Sequence, residues 1–246
     1  MQAIILAGGR GERLMPLTAD RPKCLVDVAG HPLIDHQLRW LAANGVDQVV
    51  VSCGYRWERI REAVGDGGAY GLRVHYAVED TPLGRGGGIR KALDELKGFP
   101  RPPQRERARE RAPAVVACNG DVLTALPLAG MLRHHRRTQA MATLLLVPFV
   151  SQHGIVELGE ADRVEGFKEK PVLPYWLSGG VYVLSPAIEK LLPRLGDHET
   201  TTWPRLAKSG KMAGYRYRGF WQSVDSVKDV GLAEAALRRR MPTSSL

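Results

Sequence analysis

The chain has 246 residues, of which 44% are hydrophobic, enough for one domain of ordinary to large size with a sizeable core. No apolar run approaches the length of a membrane span, and Met141 to Val147 falls far short of one, so no membrane partner is expected. The formal net charge of +9 admits either nucleic acid or a polyphosphate substrate, but no basic–aromatic interleaving of the kind that stacks bases is present, which argues against nucleic acid.

Residues 1 to 7 lack the basic region and cleavage pattern of a signal peptide. Cys24, Cys53 and Cys118 are odd in number, far apart and flanked by apolar residues, so they read as small core residues in a reducing compartment. No Cys–His spacing suggests zinc. A cytoplasmic protein is expected.

Ala3 to Ala7 is a short apolar run, read as a strand buried on both faces. Gly8, Gly9 and Gly11 follow, with Arg10, Arg13 and Lys23 around them. Glycines let the backbone turn and bring bare N–H groups to a ligand, and the cations suit an anion, so this is a phosphate site in outline. The spacing is neither the dinucleotide pattern nor the mononucleotide one, because no Gly-Lys-Ser/Thr closes it. A tight turn with surface arginines remains the plainer alternative.

Pro32 to Asn44 has helical spacing and Gly45 ends it, Val46 to Cys53 is a second buried strand, and Trp57, Ile60 and Val64 mark a short helix. Leu72 to Val78 is a third strand. This alternation implies parallel strands with crossover helices. Glu79 to Gly88 is read as a second Gly-rich loop at a strand end, with a helix from Ile89 to Leu96. Its glycines suit close approach by a planar base or a ribose, or else form a flexible turn.

Residues 99–113 are Pro- and Arg-rich and read as an exposed insertion. Val115 to Cys118 is a fourth strand, closed by Asn119-Gly120-Asp121. A carboxylate among phosphate binders is badly placed unless a cation such as magnesium bridges it to phosphate oxygens. An Asp in a capping turn competes with that reading. Leu126 to Gln139 is a helix whose His134 and His135 suit its C-terminus electrostatically.

Ala142 to Val150 is a strand. Residues 155–158 and 163–168 form a hairpin, and Trp176 to Leu184 is another strand. Helices are expected over Pro186 to Leu195, Asp197 to Lys208 and Ser226 to Arg240, with a strand over Met212 to Phe220.

These motifs together resemble the sugar-1-phosphate nucleotidyltransferases over nearly the whole chain. Leu6 to Leu14, with Pro16-Leu17-Thr18 and Pro22-Lys23, is similar to that family's opening signature. Asn119-Gly120-Asp121 is similar to its metal-binding segment, Phe167 to Pro171 to its sugar-phosphate segment, and Gly180 with Tyr182 to its sugar-side strand. The resemblance implies an α/β fold with a Rossmann-like, mixed, mainly parallel sheet flanked by helices and a small β-hairpin lobe. It implies one domain over 1–246, with 1–150 mainly nucleotide-binding and 151–246 mainly sugar-phosphate-binding.

The implied cofactor is Mg2+, held by Asp121 and Asp225, with Arg13 and Lys23 neutralising the triphosphate. Leu6, Ala7, Gly8, Gly9, Gly11, Glu79, Pro82, Gly84, Gly87 and Gly88 would line the nucleotide. Asn119, Gly154, Glu169, Lys170 and Gly180 would hold the sugar phosphate, Lys170 on its phosphate and Glu169 on a hydroxyl.

Residues 79 to 84 look most like the guanylyltransferases of mannose- or heptose-type 1-phosphates, which favours GTP, and also like the uridylyltransferases of N-acetylmuramate 1-phosphate. A cytidylyltransferase, a nucleotide-dependent kinase and a non-catalytic nucleotide-sugar sensor are the rivals. A homodimer is compatible with the family. Two departures stand out. Arg85 replaces the usual small Thr and could reach a base carbonyl or a phosphate, or simply face solvent, which is the plainest of the three. Ser223 stands where many relatives have Asp, and Asp225 comes two residues later.

Overall fold

The structure, a computed structural model, describes residues 1–99 and 114–240, so the insertion expected over 99–113 lies outside it apart from Phe99. The elements begin with β1 (Gln2–Leu6), β2 (Asp27–Val28), β3 (His31–Pro32), α1 (Leu33–Ala43), β4 (Gln48–Cys53) and α2 (Trp57–Val64). They continue through β5 (Arg73–Val78), α3 (Gly84–Gly98), β6 (Val115–Asn119), β7 (Val122–Thr124), α4 (Leu128–Thr138) and β8 (Ala142–Val150). The last are β9 (Ile155–Leu158), β10 (Val164–Lys168), β11 (Val172–Leu184), α5 (Thr202–Lys208), β12 (Met212–Arg216), β13 (Trp221–Ser223) and α6 (Val227–Arg238).

Seven strands form the central sheet in the order β12-β8-β11-β6-β1-β4-β5. Its neighbours pair parallel except at β11, which runs antiparallel to both β6 and β8. The apolar strands are continuous because both faces are covered. Ala3 and Ile5 enter one core with Val49, Val51, Val116 and Cys118, while Ile4 enters the other with Val50, Val115 and Ala117. Helices α1, α2 and α4 cover the first face through residues such as Leu38, Ile60 and Met131. Helices α3 and α5 cover the second through Ile89, Leu93 and Trp203. All three cysteines are buried and unbonded, and burial pushes each thiol up to about 12.

From β1 the chain builds β4 and β5 on one side, then returns to place β6 on the other. The β1/β6 boundary is therefore the switch point, where open α/β sheets bind ligands at their carboxyl ends. The hairpin β9–β10 makes its own antiparallel sheet, with Phe167 opposite Val156 and Val164 opposite Leu158, all four well exposed.

Several expectations change. Helix α3 starts at Gly84, so Gly86, Gly87 and Gly88 lie inside a helix and are buried rather than forming an open loop. Packing outweighs their poor helix propensity. A Cβ on Gly86 would meet Pro193 Cγ at 2.6 Å, and one on Gly87 would meet the Arg194 carbonyl oxygen at 2.5 Å. The amide of Gly86 donates to the Gly196 carbonyl at 3.0 Å, so the 193–198 segment satisfies part of the helix start.

The helix expected from Pro186 is a 3-10 helix over Pro186–Leu191, and the one expected from Asp197 starts at Thr202. There the Asp197 carbonyl accepts the Thr200 and Thr201 hydroxyls, which keeps those residues in a turn. The strand expected to reach Phe220 ends at Arg216, and Trp221–Ser223 instead pairs with β7. His135 is not the charged helix-end residue expected. It is buried between the Thr143 and Ser185 hydroxyls, and burial, with Arg136 and His134 nearby, pushes its pKa down.

Gly87→Ala is expected to lose about 1–3 kcal/mol of stability through overpacking, read by urea denaturation. A loss below about 0.5 kcal/mol would contradict this packing.

Candidate active site

The site is assembled from backbone contacts at the ends of β1 and β6. Ala7 N donates to the Ser52 carbonyl at 2.7 Å, and Gly120 N donates to the Leu6 carbonyl at 2.8 Å. A Cβ on Gly120 would lie 2.5 Å from that oxygen, so glycine lets the turn after β6 press onto β1. That turn delivers Asp121. Strand β7 leaves Asp121 while antiparallel β13 arrives at Ser223, and Val224 N donates to the Asp121 carbonyl at 2.9 Å. Asp225 therefore emerges beside Asp121.

The start of α6 fixes Asp225 further. Ser226 is its N-cap in a reciprocal capping box with Asp229, whose carboxylate also accepts the Asp225 amide at 3.1 Å. Lys23 opens a one-turn helix, Lys23–Leu25, anchored by buried Cys24 and Leu25. Gly11, at φ +70, lets it come close, since a Cβ there would meet Lys23 Cβ at 2.9 Å.

These three segments meet at the Lys23 ammonium, which donates to Asp121 Oδ2 at 2.6 Å and Asp225 Oδ1 at 2.7 Å. Arg13 donates to the same Asp225 oxygen at 2.7 Å. The Lys23 side chain is 14% exposed and Arg13 75%, so lysine is the enclosed member and arginine the open one. Burial works to raise the Asp225 pKa, but Lys23, then Arg13 and Ser223, outweigh it and hold the carboxyl below its ordinary range. Ser223 ends β13 two residues before Asp225.

Two adjoining clefts open here. One, of about 310 Å³, is lined by Leu6, Ala7, Gly8, Gly9, Lys23, Glu79, Pro82, Gly84, Asn119 and Asp121, with Ser52, Cys24 and Arg85. The other, of about 740 Å³, shares Gly8, Gly9, Lys23, Glu79, Pro82 and Asp121 and adds Gly11, Arg13 and Asp225. Gly87, Gly88, Gly154, Glu169, Lys170 and Gly180 line neither. Gly88 packs behind Ser52 and Glu79, and Gly154 lies against Phe167. Gly180, at φ +65, leaves room for the Asn119 amide. Glu169 and Lys170 are exposed just past the hairpin, 3.4 Å from one another.

The sequence reading missed Ser52, whose hydroxyl donates to Glu79 Oε1 at 2.9 Å; a lone Ser in a buried apolar strand was its signal. It also missed Tyr55, over which Arg10 stands at 5.4 Å. Arg85 does not face solvent freely. Its Nε donates to Asp197 Oδ2 at 2.8 Å and its Nη2 to Glu199 Oε2 at 2.7 Å, closing one wall of the smaller cleft.

A glycine-rich basic loop facing two carboxylates at a switch point is the ligand end of an open α/β fold. The profile of the nucleotidyl transferase family matches residues 2–239. The chain belongs to that family.

It is 32% identical to a mannose-1-phosphate guanylyltransferase of Mycobacterium tuberculosis, over 99% of this chain and 66% of the relative. It is also 32% identical to a mannose-1-phosphate guanyltransferase of Schizosaccharomyces pombe, over 93% of this chain and 62% of the relative. The chain thus spans a little under two thirds of these curated relatives. Among solved structures, HddC from Yersinia pseudotuberculosis superposes with a TM-score of 0.73 at 21% identity, covering 96% of this chain and 99% of that one. HddC has also been crystallised with GMP-PN.

Burial works to raise the Asp197 pKa, but the Glu199 amide and the Arg85 guanidinium hold it below the ordinary carboxylate range. A carboxyl whose folded pKa is depressed stabilises the fold above its unfolded value, about 3.9, and loses that contribution as pH falls through the folded value. Asp197→Asn is therefore expected to melt below wild type at pH near 7. The two melting curves should converge as pH drops below the ordinary carboxylate range.

Proposed function

We propose that the protein transfers a guanylyl group from GTP to a mannose- or heptose-type sugar 1-phosphate, giving a GDP-sugar and pyrophosphate in a magnesium-dependent reaction. The observation that carries this reading is the convergence of Asp121, Asp225, Lys23 and Arg13 beside the glycine loop. The names of the relatives at 32% identity support guanylyl transfer over the uridylyl and cytidylyl alternatives, as does the GMP-PN complex of HddC.

The residues fit a magnesium ion. Asp121 and Asp225 already turn one oxygen each toward a single cation, the Lys23 ammonium. Their donors are oxygens, the ligands magnesium takes, and it is commonly held by one or two carboxylates plus substrate phosphates. No group of three or more His, Cys, Asp or Glu converges among the described residues, so Asp121 and Asp225 would be the protein's carboxylates toward the ion, with substrate phosphate expected to complete its charge balance. When bound there, the ion supplies charge neutralisation at the reacting phosphates.

In the reaction, a phosphate oxygen of the sugar 1-phosphate attacks the α-phosphorus of GTP. The bond from that phosphorus to the bridging oxygen breaks, and pyrophosphate leaves with the electron pair. The attacking phosphate is already ionised, so no general base is needed, and the protein's part is alignment and charge stabilisation. Arg13 and Lys23 attract the triphosphate, with the open Arg13 nearer the leaving group. Gly8, Gly9 and Gly11 bring backbone amides to the phosphates, and Glu79, Pro82 and Gly84 border the base. Lys170 takes the sugar phosphate and Glu169 a hydroxyl. Both are exposed and line neither cleft.

Asp121→Asn and Asp225→Asn are each expected to keep most GTP affinity measured without magnesium and to lose turnover by orders of magnitude, since such charge stabilisation is worth several kcal/mol. Ser223→Ala should lose far less. Pyrophosphate release at near-normal rate from either Asn variant would remove that residue from the proposed pair. The base and sugar are tested with GTP, UTP, CTP, dTTP and ATP against mannose, glucose, heptose and N-acetylhexosamine 1-phosphates. The expected result is the highest kcat/KM for GTP with a mannose- or heptose-type acceptor. A higher value for UTP or CTP would overturn the guanylyl assignment and leave nucleotidyl transfer intact.

A further inference from the structure

We propose that Lys23 is the resident counter-ion of the carboxylate pair in the nucleotide-free protein, and that a divalent cation gains the pair only when the ammonium leaves it for a nucleotide phosphate. The inference rests on the proposed function for what draws Lys23 away, but not for what holds it in place.

The geometry carries it. One ammonium reaches Asp121 Oδ2 at 2.6 Å and Asp225 Oδ1 at 2.7 Å, and Arg13 takes the same Asp225 oxygen. These are charge-assisted contacts at their strong range, so one oxygen of each carboxylate is already engaged. Two carboxylates and two cations also balance. A divalent ion entering while Lys23 stays would crowd positive charge into a partly enclosed site, where Coulomb terms exceed those in water.

Lys23 is built to move without disturbing its surroundings. Its backbone is fixed by the one-turn helix, the buried Cys24 and Leu25, and the close approach of Gly11. Its four-carbon stem is the flexible part, and lysine carries a compact charge with rotatable donors. Gly8 and Gly9 line both clefts together with Lys23, so the expected phosphate position adjoins the ammonium's present one. A triphosphate arriving there offers both Lys23 and Arg13 a new anion, and their departure frees Asp121 and Asp225 together. Nucleotide and metal are then positively coupled, and each raises the other's affinity by the same factor.

Binding of Mg2+ alone to nucleotide-free protein, measured by calorimetry, tests this on wild type, Lys23→Gln and Lys23→Arg. Lys23→Gln should bind Mg2+ at least about tenfold more tightly than wild type, a common size for such couplings. Lys23→Arg, which keeps a cation, should stay near wild type. Adding Asp121→Asn to Lys23→Gln should abolish the gain. Equal or weaker Mg2+ binding by folded Lys23→Gln overturns the proposal.

Melting of the wild type supplies a test that needs no variant. Its Tm should not respond to Mg2+ added without nucleotide, and a rise of several degrees would overturn the inference. Neither measurement contains nucleotide or sugar phosphate. Failure here therefore leaves the transfer reaction standing, and a negative substrate panel leaves this result standing.

Discussion

Strand β1 is enclosed on every side, and the rest of the structure depends on that. It pairs with β4 on one edge and β6 on the other, and its side chains enter a different core on each face. A strand so confined has one available register, because a slip of one residue would exchange its two faces. Fixing β1 fixes where its carboxyl end stops, and Leu6 and Ala7 become the reference for everything at the site. The turn at Gly120 is registered against Leu6, and strands β7 and β13 carry that registration on to Asp225.

The electrostatics follow from this framework. Asp121 and Asp225 are far apart in sequence, yet the Val224 amide bonded to the Asp121 carbonyl sets their backbones side by side. Two carboxylates so close need cations, and the chain supplies Lys23 from within and Arg13 from the open side. Holding them on a paired strand end and a helix cap, with few torsions free, gives the preorganisation on which electrostatic stabilisation relies.

The strands were legible because each is a local apolar run between breakers: β1, β4, β6 and β8 follow from burial on both faces, and the β9–β10 hairpin from alternation. Asp121 and Lys23 were legible as charges beside a glycine loop, and Asp225 through family resemblance once Ser223 broke the usual pattern. What escaped depended on partners distant in sequence. Gly86 to Gly88 read as a loop because the reason for glycine lies in Pro193 to Gly196, which pack onto them from the other half of the chain. Arg85 looked free for the same reason, its carboxylates being Asp197 and Glu199. Strands β7 and β13 are three residues each, too short for a two-residue period to show.

The reversed strand β11 has a consequence for how this protein can evolve. Its start follows directly on Glu169 and Lys170, and its end leads through the 3-10 helix to the 193–199 segment, which Arg85 clamps to the wall of the smaller cleft. Tyr182, near the end of the strand, donates to the same Glu199 that Arg85 holds. One segment, irregular in its pairing with β8 between Val172 and Trp176 and between Ser178 and Tyr182, thus links the two residues proposed for the sugar phosphate to the wall that Arg85 lines. Groups joined through a shared backbone do not respond to substitution independently. Under the proposed transfer reaction, lineages that change the preferred donor base are therefore expected to accumulate compensating changes on the acceptor side.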